Sequence, residues 1–172
     1  MPQLDFSYKG VISTPPFTAI WANHPNIKGD APLLDKKQYE NQCAVNLYAA
    51  LQRSNVNVKT FHGQLSWQKD KPKYAIRAQE VANWLASATN PIFPAKVEKF
   101  SGKDAFDKIK GKKGVVFFKN YWGAGNQGDH IDLWDGSRLT HWTSWLRIQL
   151  HLSGGDWSDY RKAESIWFWA LP

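Results

Sequence analysis

The chain is poor in cysteine: Cys43 is the only thiol among 172 residues. An intrachain disulfide is therefore excluded. One Cys and scattered His also lack the compact ligand spacing of a zinc site, so neither a metal nor another cofactor is expected. No run of about 18 apolar residues occurs, which argues against a transmembrane helix and against membrane insertion. The opening residues, Met1 to Gly10, lack a basic region followed by a long apolar core, so a cleaved secretory signal is not expected. Internal repeats, low-complexity tracts and a convincing domain boundary are lacking too. The expectation is one domain, 1–172, whose core buries roughly 70% of the unfolded chain's surface. Acidic residues are scarce: Asp plus Glu is 15 against 22 for Lys plus Arg, a formal charge of +7. That balance favours an anionic partner, whether nucleic acid, a membrane surface or an acidic cell-wall polymer. No nucleic-acid motif is present, so no nucleic-acid partner is expected. The densest basic group, Lys110-Gly111-Lys112-Lys113, falls between a helix and a strand as a solvated loop.

Tryptophan, by contrast, is abundant, with ten copies. Trp84, Trp167 and Trp169 suit the core, and Trp122, in a glycine-rich stretch, suits a cleft. Thr14-Pro15-Pro16 opens a helix with Phe17, Ile20 and Trp21 on its inner face, ended by Pro25. Residues 26 to 35 have the composition of a loop. Tyr39, Cys43, Leu47, Ala50 and Leu51 share one face of a second helix, with Cys43 at its head. Residues 54 to 75 are polar and turn-rich, with room for a short strand at Val56, Val58 and Thr60. Ile76 to Ala88 predicts a helix that buries Val81, Trp84, Leu85 and Ala88. Ser101-Gly102-Lys103-Asp104 caps a short helix carrying Phe106 and Ile109. Val115 to Phe118 predicts a buried strand, 120 to 129 a glycine-rich loop, and Ile166 to Leu171 a final strand. Helices lead and antiparallel strands trail, so the fold class is α+β.

Two segments alternate with period two: His130-Ile131-Asp132-Leu133-Trp134 and Ser137-Arg138-Leu139-Thr140-His141-Trp142. Asp135-Gly136 between them signals a two-residue hairpin turn. Such a turn pairs His130 with His141, their Cβ atoms roughly 4.5–5.5 Å apart. Ile131 and Leu133 then point the other way, into the core. A slip in register would undo the pairing.

A lone Cys at a helix start and an oriented His are the minimal set for thiolate catalysis. Alone, such a Cys is more often a small core hydrophobe; its position and the facing histidines favour catalysis instead. His141 also reads as a surface strand residue. Asp132, on the His130 face, is the runner-up for a third catalytic member, and Asp129 is a weaker candidate. His24, His62 and His151 read as structural or solvated.

The order nucleophile at a helix N-terminus, base on a strand, third polar residue on the next strand is similar to the papain-like superfamily. More narrowly, the chain resembles the type VI secretion amidase effectors of family four, relatives of the NlpC-type cell-wall peptidases. The matching segments are Asn41-Gln42-Cys43, Tyr74-Ala75-Ile76-Arg77, Gly111-Lys112-Lys113-Gly114-Val115-Val116, Gly128-Asp129-His130-Ile131-Asp132-Leu133-Trp134-Asp135-Gly136-Ser137 and the closing Ala170-Leu171-Pro172. The resemblance implies an antiparallel sheet that carries the histidines, packed against the helix of the nucleophile. It implies cleavage of the γ-D-glutamyl–meso-diaminopimelate bond in peptidoglycan stem peptides of rival bacteria. It also implies cytoplasmic synthesis, export by the type VI secretion apparatus into the target periplasm, and a cognate immunity protein. Cys43 would be the nucleophile and His130 the base. The family's third position carries aspartate and falls on His141 here, although NlpC-type enzymes use histidine there. Asp129 stands between Gly128 and His130, where the family tends to have Gly directly before His.

A helix N-terminus and an adjacent imidazolium favour the thiolate. Cys43 would attack the amide carbonyl, with backbone N–H groups at the helix start binding the oxyanion. His130 would protonate the leaving amine and then activate water, and His141 would accept the Nδ1–H of His130. Two readings compete: a non-catalytic, Trp-rich module that binds cell-wall glycan on the same fold, and an acyltransferase or deamidase with the same Cys–His pair.

Overall fold

Val115 to Phe118 and Ile166 to Trp169 are apolar on both faces, the pattern of strands covered on both sides. In the computed structural model they are neighbouring inner strands of one four-stranded antiparallel sheet. The structure describes residues 14–70, 72–92, 94–101, 104–122, 128–141 and 162–172, with the backbone alone at 121 and 122. The strands are β1 (Val97–Phe100), β2 (Gly114–Trp122), β3 (Gly128–Trp134) and β4 (Ser165–Ala170), in spatial order β1-β4-β2-β3. Val115 lies opposite both Leu133 and Trp169, and Phe118 lies opposite both His130 and Ile166. Five helices accompany the described sheet: α1 (Phe17–Asn23), α2 (Pro25–Lys28), α3 (Cys43–Arg53), α4 (Ala78–Leu85) and α5 (Ala105–Ile109).

Alternation splits the core in two. Val115, Phe117, Ile131, Leu133 and Trp169 join the buried residues of α1, α3 and α4. Val116, Phe118, Trp134, Ile166 and Phe168 form the opposite layer with Ala105 and Ile109 of α5. Every residue of α3 from Ala44 to Leu51 is buried, so this helix is enclosed rather than amphipathic. The indole N–H groups of the two largest buried residues find carbonyl acceptors: Trp134 donates to Ile109 at 3.1 Å and Trp169 to Leu85 at 3.0 Å. Gly114 has a steric reason, because a Cβ there would collide with the Trp169 carbonyl oxygen.

Several expectations shift. Pro25 does end α1, but it is also the first residue of α2, so 26 to 28 is helix rather than loop. Val56 to Thr60 is turn-like, with a hydrogen bond from Phe61 N–H to Val58 O at 3.1 Å in place of a strand. The helix expected over 76 to 88 is confined to α4, and Ala88 is exposed. β1 was not legible: Val97-Glu98-Lys99-Phe100 is half charged, and it is an edge strand. β2 extends through 122, taking in residues expected in the glycine-rich loop. Trp167 is half-buried, with the Lys99 ammonium 3.7 Å from the ring centroid.

The largest change is in the hairpin. Trp134 pairs with Leu139, and Asp135 N–H donates to Arg138 O at 3.1 Å, so the turn runs over 135–138. Asp135 Oδ1 organises it, accepting from Ser137 N at 2.9 Å and Arg138 N at 2.8 Å, while Gly136 takes φ +102°. In this register residue 141 lines up with Asp132, not with His130. Among the described residues, 137–141 forms no strand beyond that single bridge. Residues 1–13, Gly102, Lys103, residues 123–127, Trp142, His151 and the Trp122 side chain lie outside the described part. Among the described residues no helix is long and apolar enough to cross a membrane.

Candidate active site

Cys43 is the first residue of α3 and is half-buried against the helical core layer. The residue before it ties the helix start to the preceding loop. Gln42 is buried, and its amide is saturated: Nε2 donates to Leu34 O at 2.7 Å and Tyr39 O at 3.1 Å. Its Oε1 accepts from Leu33 N at 3.1 Å and Leu34 N at 3.2 Å. Gln42 thus holds the loop 33–39 and has no amide hydrogen left for a substrate. Asn41 Oδ1 accepts from the Cys43 N–H at 3.2 Å. The thiol itself makes no hydrogen bond among the described residues.

α3 packs against β3, which carries the histidine. Ile131 and Leu133 enter the core layer shared with α3, while His130, Asp132 and Trp134 take the alternate positions. The His130 ring stacks on Phe118 of β2, centroids 6.1 Å apart and planes 24° apart. His130 Nε2 lies 3.7 Å from Asp132 Oδ2. His130 Nε2 therefore faces the Asp132 carboxylate. The expected contact was Nδ1 to His141; His141 is exposed, next to Thr140 at the end of the turn. Asp129 has a separate task. Its Oδ1 accepts from Asn120 N at 2.9 Å across the register irregularity between Phe118 and Trp122.

The model of one family, the type VI secretion system amidase effector protein 4 (Tae4), matches residues 39–169, well over half of the chain. The chain belongs to this family. Among solved structures, the Tae4–Tai4 effector–immunity complex from Enterobacter cloacae is similar at a TM-score of 0.65 and 19% identity, covering 92% of this chain and 99% of that one. Tae4 from the same organism matches at 0.65 and 18%, covering 92% and 97%. The Salmonella typhimurium Tae4/Tai4 system matches at 0.61 and 19%, covering 92% and 99%. At such identities these structures establish the fold, a mixed arrangement of helices and antiparallel sheet as expected. No curated protein matches.

Around Asp132 this family member has a buried network that its sequence did not reveal. Asp132 is 4% exposed. Its Oδ1 accepts from Leu133 N at 2.7 Å and from the Thr140 hydroxyl at 2.7 Å; Oδ2 accepts from Thr140 N at 3.2 Å. Thr140 Oγ1 in turn accepts from Asn26 Nδ2 at 3.0 Å. His24, only 1% exposed, sits at the joint of α1 and α2 with Nε2 3.5 Å from Asp132 Oδ1. Burial pushes the Asp132 carboxyl up, but the His130 imidazole, His24 and the Thr140 hydroxyl outweigh it and hold the group below 3.8. Burial pushes His24 below its ordinary 6.5, against the pull of Asp132, so this imidazole is neutral at neutral pH. Of the other histidines, His62 is exposed, as a solvated residue would be. His24 Nδ1 accepts from Asn26 N and caps α2, but nothing local in the sequence marks its contact with Asp132, more than a hundred residues away. Among the described residues no group of three or more His, Cys, Asp and Glu is arranged to hold a metal ion.

Proposed function

We propose that the chain is a papain-like, NlpC-type cysteine amidase that cuts the γ-D-glutamyl–meso-diaminopimelate bond of peptidoglycan stem peptides in rival bacteria. Cys43 is the nucleophile, His130 the base, and Asp132 the group that orients it. The observation that carries this reading is the buried Asp132 carboxylate 3.7 Å from His130 Nε2. A proton on Nε2 facing that carboxylate leaves the Nδ1 lone pair to take the thiol proton. The resulting thiolate attacks the amide carbonyl, and the N–H groups of the first turn of α3 receive the oxyanion. For Cys43 N–H to take part, the Asn41 side chain must release it. His130 then passes its proton to the leaving diaminopimelate amine, and an acyl-thioester remains on Cys43. Water, deprotonated by the same imidazole, hydrolyses the thioester and regenerates the thiol. Asp132 is favoured over His141 because it is buried, ionised and held by several donors, whereas His141 is exposed.

Family membership supports export by the type VI apparatus, with the periplasm of the target cell as the site of action. The Tae4–Tai4 complexes support a cognate immunity protein for this chain as well. The +7 charge would prolong contact with an anionic wall. Purified sacculi separate this reading from a binding module. Wild type should clear a sacculus suspension, and Cys43→Ala should bind without clearing it. Binding with no clearance by either form would leave the binding module standing and end the amidase reading.

A further inference from the structure

We propose that His24 is a positioning residue for the amidase: as a neutral imidazole protonated on Nε2, it steadies the Asp132 carboxylate that orients His130. The inference rests on the catalytic reading of His130 and adds to it a residue from the other end of the chain. Two contacts fix the state of His24. Its Nδ1 accepts the backbone N–H of Asn26 at 3.2 Å, so that nitrogen carries no proton. The proton is on Nε2, which faces Asp132 Oδ1 at 3.5 Å. One carboxylate thus lies between two imidazoles, with His24 on Oδ1 and His130 on Oδ2. Thr140 bridges the two oxygens, donating at 2.7 and 3.0 Å, and is itself held by Asn26 of α2. His24 and Asn26, two residues apart, therefore brace the same carboxylate, one directly and one through Thr140. Arg53 and Asp30, which also act on His24 electrostatically, pair with each other at 2.7 Å, and Asp132 is the carboxylate that His24 Nε2 faces.

A capping residue and a positioning residue can be told apart, because the two nitrogens do different jobs. His24→Asn keeps an acceptor where Nδ1 caps α2 and removes the donor to Asp132. His24→Gln restores a donor near the Nε2 position and gives up the cap. The positioning role predicts that His24→Asn lowers kcat about 10- to 100-fold with KM nearly unchanged, and that His24→Gln recovers most of it. A purely structural role predicts the reverse order, following thermal midpoint rather than kcat.

A second readout is independent of turnover. In 15N-labelled wild type at neutral pH, His24 and His130 should both show the Nε2–H tautomer, and in His24→Asn the His130 signal should become a mixture. Unchanged kcat with an unchanged His130 tautomer in folded His24→Asn would overturn the inference. So would a wild-type spectrum with His24 protonated on Nδ1, which needs no variant. Failure of the amidase reading is recognised separately, as wild type that releases no more wall fragments than Cys43→Ala.

Discussion

The two halves of the candidate site are held in opposite ways. At the head of α3, Cys43 is half-buried, its thiol makes no hydrogen bond among the described residues, and its N–H rests on an exposed Asn side chain. On β3, the Asp132 carboxylate is buried and met by donors from Leu133 and Thr140, with an imidazole on each oxygen. The difference fits the roles proposed for the two groups. A nucleophile has to be reached by a bulky polymer, so burial and saturation would disable it. An orienting carboxylate never touches the substrate, and its value lies in not moving. The cost of burying that charge is met by fixed donors.

Cys43→Ala should sharpen this contrast most. Amidase turnover should fall to background while the thermal midpoint stays close to wild type, because the thiol supports no network; a stability loss of several kcal/mol would make Cys43 a structural residue. Asp132→Asn comes next. It should lower kcat by roughly 10²- to 10⁴-fold, since the amide can present a donor to His130 and reverse its tautomer. It should also cost about 1–3 kcal/mol in denaturant unfolding, as donors from Leu133, Thr140 and His24 lose their anion. Wild-type turnover in Asp132→Asn would break the comparison outright.

Acid should weaken the buried half first. The folded chain resists protonating His24, whereas the unfolded chain takes up that proton as pH falls through 6.5. Unfolding free energy should then decline by up to about 1.4 kcal/mol per pH unit below that point, and the decline should be shallower in His24→Asn. Asp132 adds a later loss: its stabilisation is intact above 3.8 and disappears as pH falls through its depressed folded value. Equal slopes for wild type and His24→Asn between pH 7 and 5 would mean that His24 is not buried neutral. The smallest effect is expected for His141→Ala, whose kcat should stay near wild type; a loss as large as that of Asp132→Asn would return the third role to His141.

Legibility in the sequence followed the range of the interactions. Period-two alternation in 130–134 and the apolar runs at 115–118 and 166–169 announced β2, β3 and β4, because each strand carries its own pattern. The one-face pattern of Tyr39, Cys43, Leu47, Ala50 and Leu51 placed Cys43 at the head of a helix, which the structure bears out. The hairpin register was missed by two residues. Asp-Gly is a strong two-residue turn signal, but here Asp135 Oδ1 gathers the N–H groups of Ser137 and Arg138 into a wider turn. That shift moved His141 away from its expected place opposite His130, whose Nε2 faces Asp132. His24 was illegible as a site residue, since its contact with Asp132 spans most of the chain and no local pattern records it.

The central claim is that a Cys43 thiolate, activated by His130 under the hold of Asp132, opens the stem peptide at one amide. Mass analysis of fragments from purified peptidoglycan tests it most directly. Wild type should leave stems that end at D-glutamate and release diaminopimelate with a newly freed amino group, and Cys43→Ala should generate neither. Intact stems after wild-type treatment, or the same fragments from Cys43→Ala, would contradict it.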